Sequence, residues 1–137
     1  MKVLVDTSVW SLALRRRRPS TDAAVEELKH LIAEGRAAIV GPIRQELLSG
    51  IRETASFEQL RDHLRAFPDE PVRAADYERA AEHFNACRTR GIQGSNTDFL
   101  LCAVAERHRM TILTTDDDFA TYARVLPVVL HKPRKDG

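Results

Sequence analysis

Four short runs constrain this chain more than anything else in it: KVLV (2–5), AAIV (37–40), TILT (111–114) and PVVL (127–130). Each is dominated by apolar and β-branched residues. None alternates between a polar and an apolar face, so each suits a strand buried on both sides. Such strands belong to parallel sheets, which need helical crossovers between neighbours. The intervening segments supply them. Val25, Leu28 and Ile32 recur at helical spacing, with Gly35 as a stop. Phe57, Leu60, Leu64 and Phe67 repeat the pattern, as do Tyr77, Ala80, Ala81, Phe84 and Cys87 ahead of Gly91. Pro42 suits the first turn of a helix over Ile43 to Ile51. The expected fold is α/β, a three-layer α/β/α sandwich with a mainly parallel central sheet of four to five strands.

The length of 137 residues and the 43% hydrophobic content suit one domain with a real core. We place it at residues 1–131, followed by a polar C-terminal tail, 132–137, expected to fray. The net charge of +1 argues against a strongly basic nucleic-acid coat. Cys87 and Cys102 have no metal-like spacing and suggest packing in a reducing, cytoplasmic compartment. No apolar stretch approaches the length of a membrane span. The five histidines stand apart and receive no chemistry.

In a parallel α/β sheet, ligands bind beyond the carboxyl ends of the strands. Asp6 directly follows the first run, and Asp116 follows the third after one more threonine. Two further acids begin helices leaving that edge. Glu46 lies three residues after Ile43 and borders the buried stripe. Asp98 lies in SNTDFLLCAVAERH (95–108), a segment apolar almost all round and so expected at the centre of the domain. Leu101, Cys102 and Ala105 follow Asp98 at three, four and seven residues, so it heads the buried stripe. Ser95 caps the same helix, with Asp98 at the third position. Each acid alone also fits a helix cap or a partner of the helix dipole. Four aimed at one edge would repel strongly unless their pKa values rise or a cation binds. With no histidine or cysteine beside them, the oxygen ligands favour Mg²⁺ or Mn²⁺.

VDTSVW, GPIRQELLSG, GIQGSNTDFLLCAVA and ILTTDDDF, in this order, resemble the motifs of the PIN domain family. The match is to its bacterial VapC-type toxins and runs from Val3 to about Leu130. The resemblance implies a single PIN-like nuclease domain: a Mg²⁺-dependent endoribonuclease, usually a homodimer, held in check by a cognate VapB-type antitoxin. It carries the pocket acids over to Asp6, Glu46, Asp98 and Asp116, and the hydroxyl positions to Thr7 or Ser8 and to Thr115. Asp6, Asp98 and Asp116 are the expected metal ligands, with Thr7 and Thr115 as hydrogen-bonding support.

The triplet Asp116, Asp117, Asp118 separates by helical geometry. Phe119, Tyr122 and Ala123 mark the buried side of a short helix. Asp116 lies nearest that side and Asp117 faces solvent. With Thr115 as N-cap, Asp118 stands where an acid complements the dipole, or reaches a second metal. Arg15, Arg16, Arg17 and Arg18 form the only dense basic run and, with Arg44, are candidates for RNA phosphates. Trp10 and Cys102 are expected in the core. Two other function classes compete. One is a non-catalytic PIN-like module that binds RNA or protein, which a broken acid set would mark. The other is an aspartyl-phosphate site, but Ser8 stands where a haloacid-type phosphatase wants its second acid.

Overall fold

A computed structural model describes residues 1–14 and 22–135. The order is β1 (Val3–Val5), α1 (Thr7–Leu14), α2 (Ala23–Ala33), β2 (Ala37–Ala38), α3 (Gly41–Leu48), α4 (Thr54–Leu64), α5 (Ala74–Thr89), α6 (Asn96–His108), β3 (Thr111–Leu113) and α7 (Asp118–Tyr122). The sheet is parallel in the order β2-β1-β3, with Leu4 opposite Ala38 and Ile112. β1, fully buried, is its centre.

The α/β class stands, with a shorter sheet than expected. Three strands form among the described residues, and PVVL contributes a parallel bridge from Leu130 to Ile112 in place of a fourth. AAIV pairs as a strand for two residues, after which Ile39 bridges to Asp69. AAIV is buried from Ala38 to Val40, whereas PVVL, expected to be buried on both sides, lies at the edge of the core: Val128 and Leu130 are partly buried and Val129 is 64% exposed.

Helix ends follow local chemistry. Asp22 caps α2 by accepting from the Ala24 N–H, and Ser95 caps α6 by accepting from that of Asp98. Pro42 stands in the first turn of α3. α6 is the buried helix expected from its composition: Phe99 to Ala105 are all buried. Trp10 is buried and meets the Phe67 ring edge-on at 5.0 Å. Both cysteines are free and buried.

Three expectations change. On α2 the buried face runs through Leu28 and Leu31, leaving Ile32 38% exposed. On α5 it runs through Asp76, Ala80, His83 and Cys87, leaving Tyr77 57% exposed. The cause is ionic: Asp76 takes a bidentate grip from Arg107, and Glu106 takes one from Arg79 plus a bond with His83. These pairs turn α5 toward α6 by one residue. The polar tail is tied down as far as Arg134, where the free end was expected to fray. Arg134 pairs with Glu27 and Glu34 of α2, and His131 with Glu27.

Candidate active site

The acids meet where the strands end. Asp6 follows β1, is buried, and is held in the sheet by its N–H to the Leu113 carbonyl. Its carbonyl accepts the first bonds of α1, from the Val9 and Trp10 N–H groups. Asp6 Oδ2 accepts 2.8 Å hydrogen bonds from both Ser8 and Thr114 hydroxyls. Those hydroxyls accept in turn from consecutive backbone N–H groups, Thr115 onto Ser8 at 3.1 Å and Asp116 onto Thr114 at 3.0 Å. With their lone pairs so engaged, their protons are directed at Asp6. One carboxylate thereby ties β1 to the segment after β3.

Asp98 is half-buried in the first turn of α6, where the helix dipole favours negative charge. Its Oδ2 accepts from the Tyr122 hydroxyl at 2.8 Å. Asp116 is half-buried, and its Oδ1 accepts from the Asp118 N–H at 2.9 Å. That bond takes the capping role expected of Thr115. Asp117 and Asp118 are both exposed. Glu46 is exposed on α3 and accepts from the Thr7 hydroxyl at 2.8 Å.

Electrostatics show that three of these acids share a site. Burial pushes the Asp98 carboxyl above the usual range; bonds from Tyr122 and Ser95 oppose this, while the charges of Asp6 and Asp116 add to it. Burial likewise raises Asp6, against the hydrogen bonds from Thr114 and Ser8. Burial and the Asp98 carboxylate together lift the Tyr122 hydroxyl far above the ordinary phenol range, so it stays a donor. Burial also raises the Cys102 thiol, with Asp98 and Asp6 adding to the effect.

Asp6, Asp98 and Asp116 therefore converge, while Glu46, exposed on α3, is linked to the residue after Asp6 by its bond from Thr7. The hydroxyl expected from Thr115 comes from Thr114. A shift of one residue along an extended segment points the side chain to the other face. Thr114, Tyr122 and Gly94 were missed. Thr114 closes an apolar run and reads as strand; Tyr122 falls in a buried stripe and reads as core. Arg15, Arg16, Arg17 and Arg18 lie outside the described residues. Arg44 is committed to the fold: its guanidinium bonds Asp69 at 3.0 Å, the Leu64 carbonyl at 2.9 Å and the Phe67 carbonyl, pinning α3 to the end of α4.

The donor chemistry fits a hard cation. It is all oxygen, and burial, which raises both Asp6 and Asp98, together with the charges of Asp6 and Asp116 acting on Asp98, is a cost that a dication would relieve. Among the described residues, no three His, Cys, Asp or Glu side chains already form a cage for one ion. Asp98 and Asp116 each commit one oxygen to a protein donor. A carboxylate offers about four lone-pair sites, so neither is exhausted.

The chain as a whole has known counterparts. The family model for the PIN domain matches residues 3–125. The chain belongs to the PIN domain family. Over 127 residues it is 32% identical to the VapC ribonuclease Mb1587 of Mycobacterium bovis and to ribonuclease VapC11 of Mycobacterium tuberculosis, covering 90% of this chain and 92% of each relative. Two solved structures share the fold. FitAcB from Neisseria gonorrhoeae has a TM-score of 0.69 at 26% identity, covering 96% of this chain and 97% of that one. VapBC2 from Rickettsia felis, bound to a DNA fragment from its promoter, has a TM-score of 0.76 at 18% identity, covering 96% and 98%. No helix among the described residues is long and apolar enough to cross a membrane.

Proposed function

We propose that this PIN domain is a metal-dependent endoribonuclease, the toxin of a type II toxin–antitoxin pair. The observation that carries this reading is the convergence of Asp6, Asp98 and Asp116 at the carboxyl ends of β1 and β3. The 32% identity to VapC ribonucleases over 90% of the chain supports RNA as the substrate. The VapC names of these relatives support a VapB-type antitoxin as partner, and a homodimer is the working form we propose.

In this mechanism Asp6, Asp98 and Asp116 would hold Mg²⁺, or Mn²⁺ in its place, and Asp118 would serve a second ion. A bound ion would supply a water of lowered pKa and offset charge on the phosphodiester. Ser8 and Thr114 fix Asp6 through their two hydrogen bonds and favour its charged form, against the burial that raises its pKa. Glu46, exposed and held by Thr7, orients the attacking water. In-line attack leaves a 5′-phosphate and a 3′-hydroxyl. Arg15, Arg16, Arg17 and Arg18 are the proposed phosphate contacts, and reversing their charge should weaken cleavage and flatten its salt dependence.

The test is RNA cleavage by wild type and by Asp98→Asn, with and without a chelator. Wild type should cut only with metal present, and sequencing the new ends should identify the target RNA. Asp98→Asn should fold and not cut. Equal cleavage by the two proteins would refute the site. A wild type that binds RNA without cutting would make it a binding module.

A further inference from the structure

We infer that Tyr122 is a positioning residue for Asp98, and that the bare backbone at Gly94 lets the Tyr122 ring lie where its hydroxyl reaches that carboxylate. The inference rests on the metal-dependent reading above and assigns a further pair of residues to the same site.

The argument starts from what a core residue at 122 would need. α7 is five residues long, too short to hold itself together by its own hydrogen bonds. Aromatic packing fixes it. The Tyr122 ring lies 5.2 Å from Phe119 and 5.0 Å from Phe99, and Phe99 lies 5.7 Å from Phe84. A phenylalanine would satisfy all of this. The hydroxyl of Tyr122 adds nothing to the packing, and in a fully buried side chain it costs stability unless paired. Its partner is Asp98 Oδ2, at 2.8 Å.

Geometry gives that bond a consequence. Asp98 stands in the first turn of α6, beside Ser95, where a carboxylate can instead fold back onto the helix end. The bond to Tyr122 directs it toward α7, the element that follows Asp116. It does for Asp98 what Ser8 and Thr114 do for Asp6. Gly94 makes the arrangement possible. A Cβ there would overlap the Tyr122 hydroxyl and stand 2.8 Å from Tyr122 Cζ and 2.9 Å from Phe99 Cζ. Gly94 is not among the glycines with positive φ, so close approach, not backbone freedom, is the reason for a glycine here.

The test uses the full chain with four variants: Tyr122→Phe, Gly94→Ala, the double variant and Asp98→Asn. The readouts are Mn²⁺ binding without RNA, kcat and KM on RNA, and the melting midpoint. Tyr122→Phe should keep its melting midpoint within a few degrees of wild type. It should bind Mn²⁺ about ten-fold more weakly and lose a similar factor in kcat at unchanged KM. Gly94→Ala should act in the same direction, and its effect should shrink in the Tyr122→Phe background, because both substitutions break one bond. If Asp98→Asn loses Mn²⁺ and cleavage while Tyr122→Phe keeps both, the positioning role is overturned and the ribonuclease reading stands. A Tyr122→Phe protein that cuts poorly yet binds Mn²⁺ as wild type would overturn it as well. If Asp98→Asn itself retains both activities, the reading of the acids fails and the role of Tyr122 fails with it.

Discussion

Replacing Glu27 with glutamine should destabilise the fold at neutral pH and do little in acid. Glu27 is 2% exposed and sits under the C-terminal tail. Its two oxygens accept from His131 at 2.7 Å and from Arg134 at 2.7 and 3.2 Å through the side chain and 3.2 Å through the backbone. Burial alone would raise its pKa, but the hydrogen bonds from Arg134 and His131 outweigh it and hold the carboxyl at about 2. A folded pKa below the unfolded value stabilises the fold above the unfolded pKa. That stabilisation is lost as pH falls through the folded one. The window therefore opens near the ordinary value of 4.5 and closes near 2. At about 1.4 kcal/mol per pH unit, discounted because Arg134 is 39% exposed, the charged form contributes on the order of 1–3 kcal/mol at pH 7. In a chain of this length that is roughly 3–12 °C in melting midpoint. Thermal melts of wild type and Glu27→Gln at pH 7, 5 and 3 measure the gap. It should hold from pH 7 to 5 and fall by more than half by pH 3. A gap as large at pH 3 as at pH 7 would refute the ionic origin. No gap at any pH would show that the tail anchor contributes nothing to stability.

Thr114→Val keeps the shape of the side chain but removes a donor to Asp6 and an acceptor for the Asp116 N–H. It should cost about 1–3 kcal/mol by chemical denaturation and lower RNA cleavage at least ten-fold; wild-type behaviour in both would rule out the bridging role. Single asparagine substitutions through the triplet should separate its members. Asp116→Asn should abolish cleavage, Asp118→Asn should weaken it, and Asp117→Asn should leave it unchanged, since Asp117 is exposed and Asp116 carries the cap bond to Asp118.

Much of this was legible in order and spacing. Asp6 and Asp116 can be read at the sheet edge because Asp6 directly follows an apolar run and Asp116 follows one after a single threonine. Asp98 can be assigned because it heads a helix apolar on nearly every side, and the chain buries that helix. The residues that hold the acids were legible only in part: Thr7 and Ser8 are read beside Asp6, whereas Thr114 and Tyr122 are not. Thr114 and Thr115 are identical in kind, and only the twist of the segment after β3 decides which hydroxyl meets Asp6. The apolar period on α5 and α2 misled for a related reason. Tyr77 and Ile32 fit the apolar period, yet ion pairs from α6 and packing of α2 turned both outward.

By itself the sequence determined what depends on local chemistry and hydrophobic period. It set the parallel α/β class, the cap at Ser95, the buried helix, and the acids placed at one edge of the sheet. Tertiary structure alone decided what depends on residues far apart in the chain. Asp6 and Thr114 are 108 residues apart, and Glu27 and Arg134 are 107. No local window contains both members of either pair. A hydrogen bond is directional over tenths of an ångström, whereas apolar burial tolerates many arrangements. The pattern of burial could therefore be read along the chain, while the donors Thr114 to Asp6 and Tyr122 to Asp98 emerged only once the chain had folded.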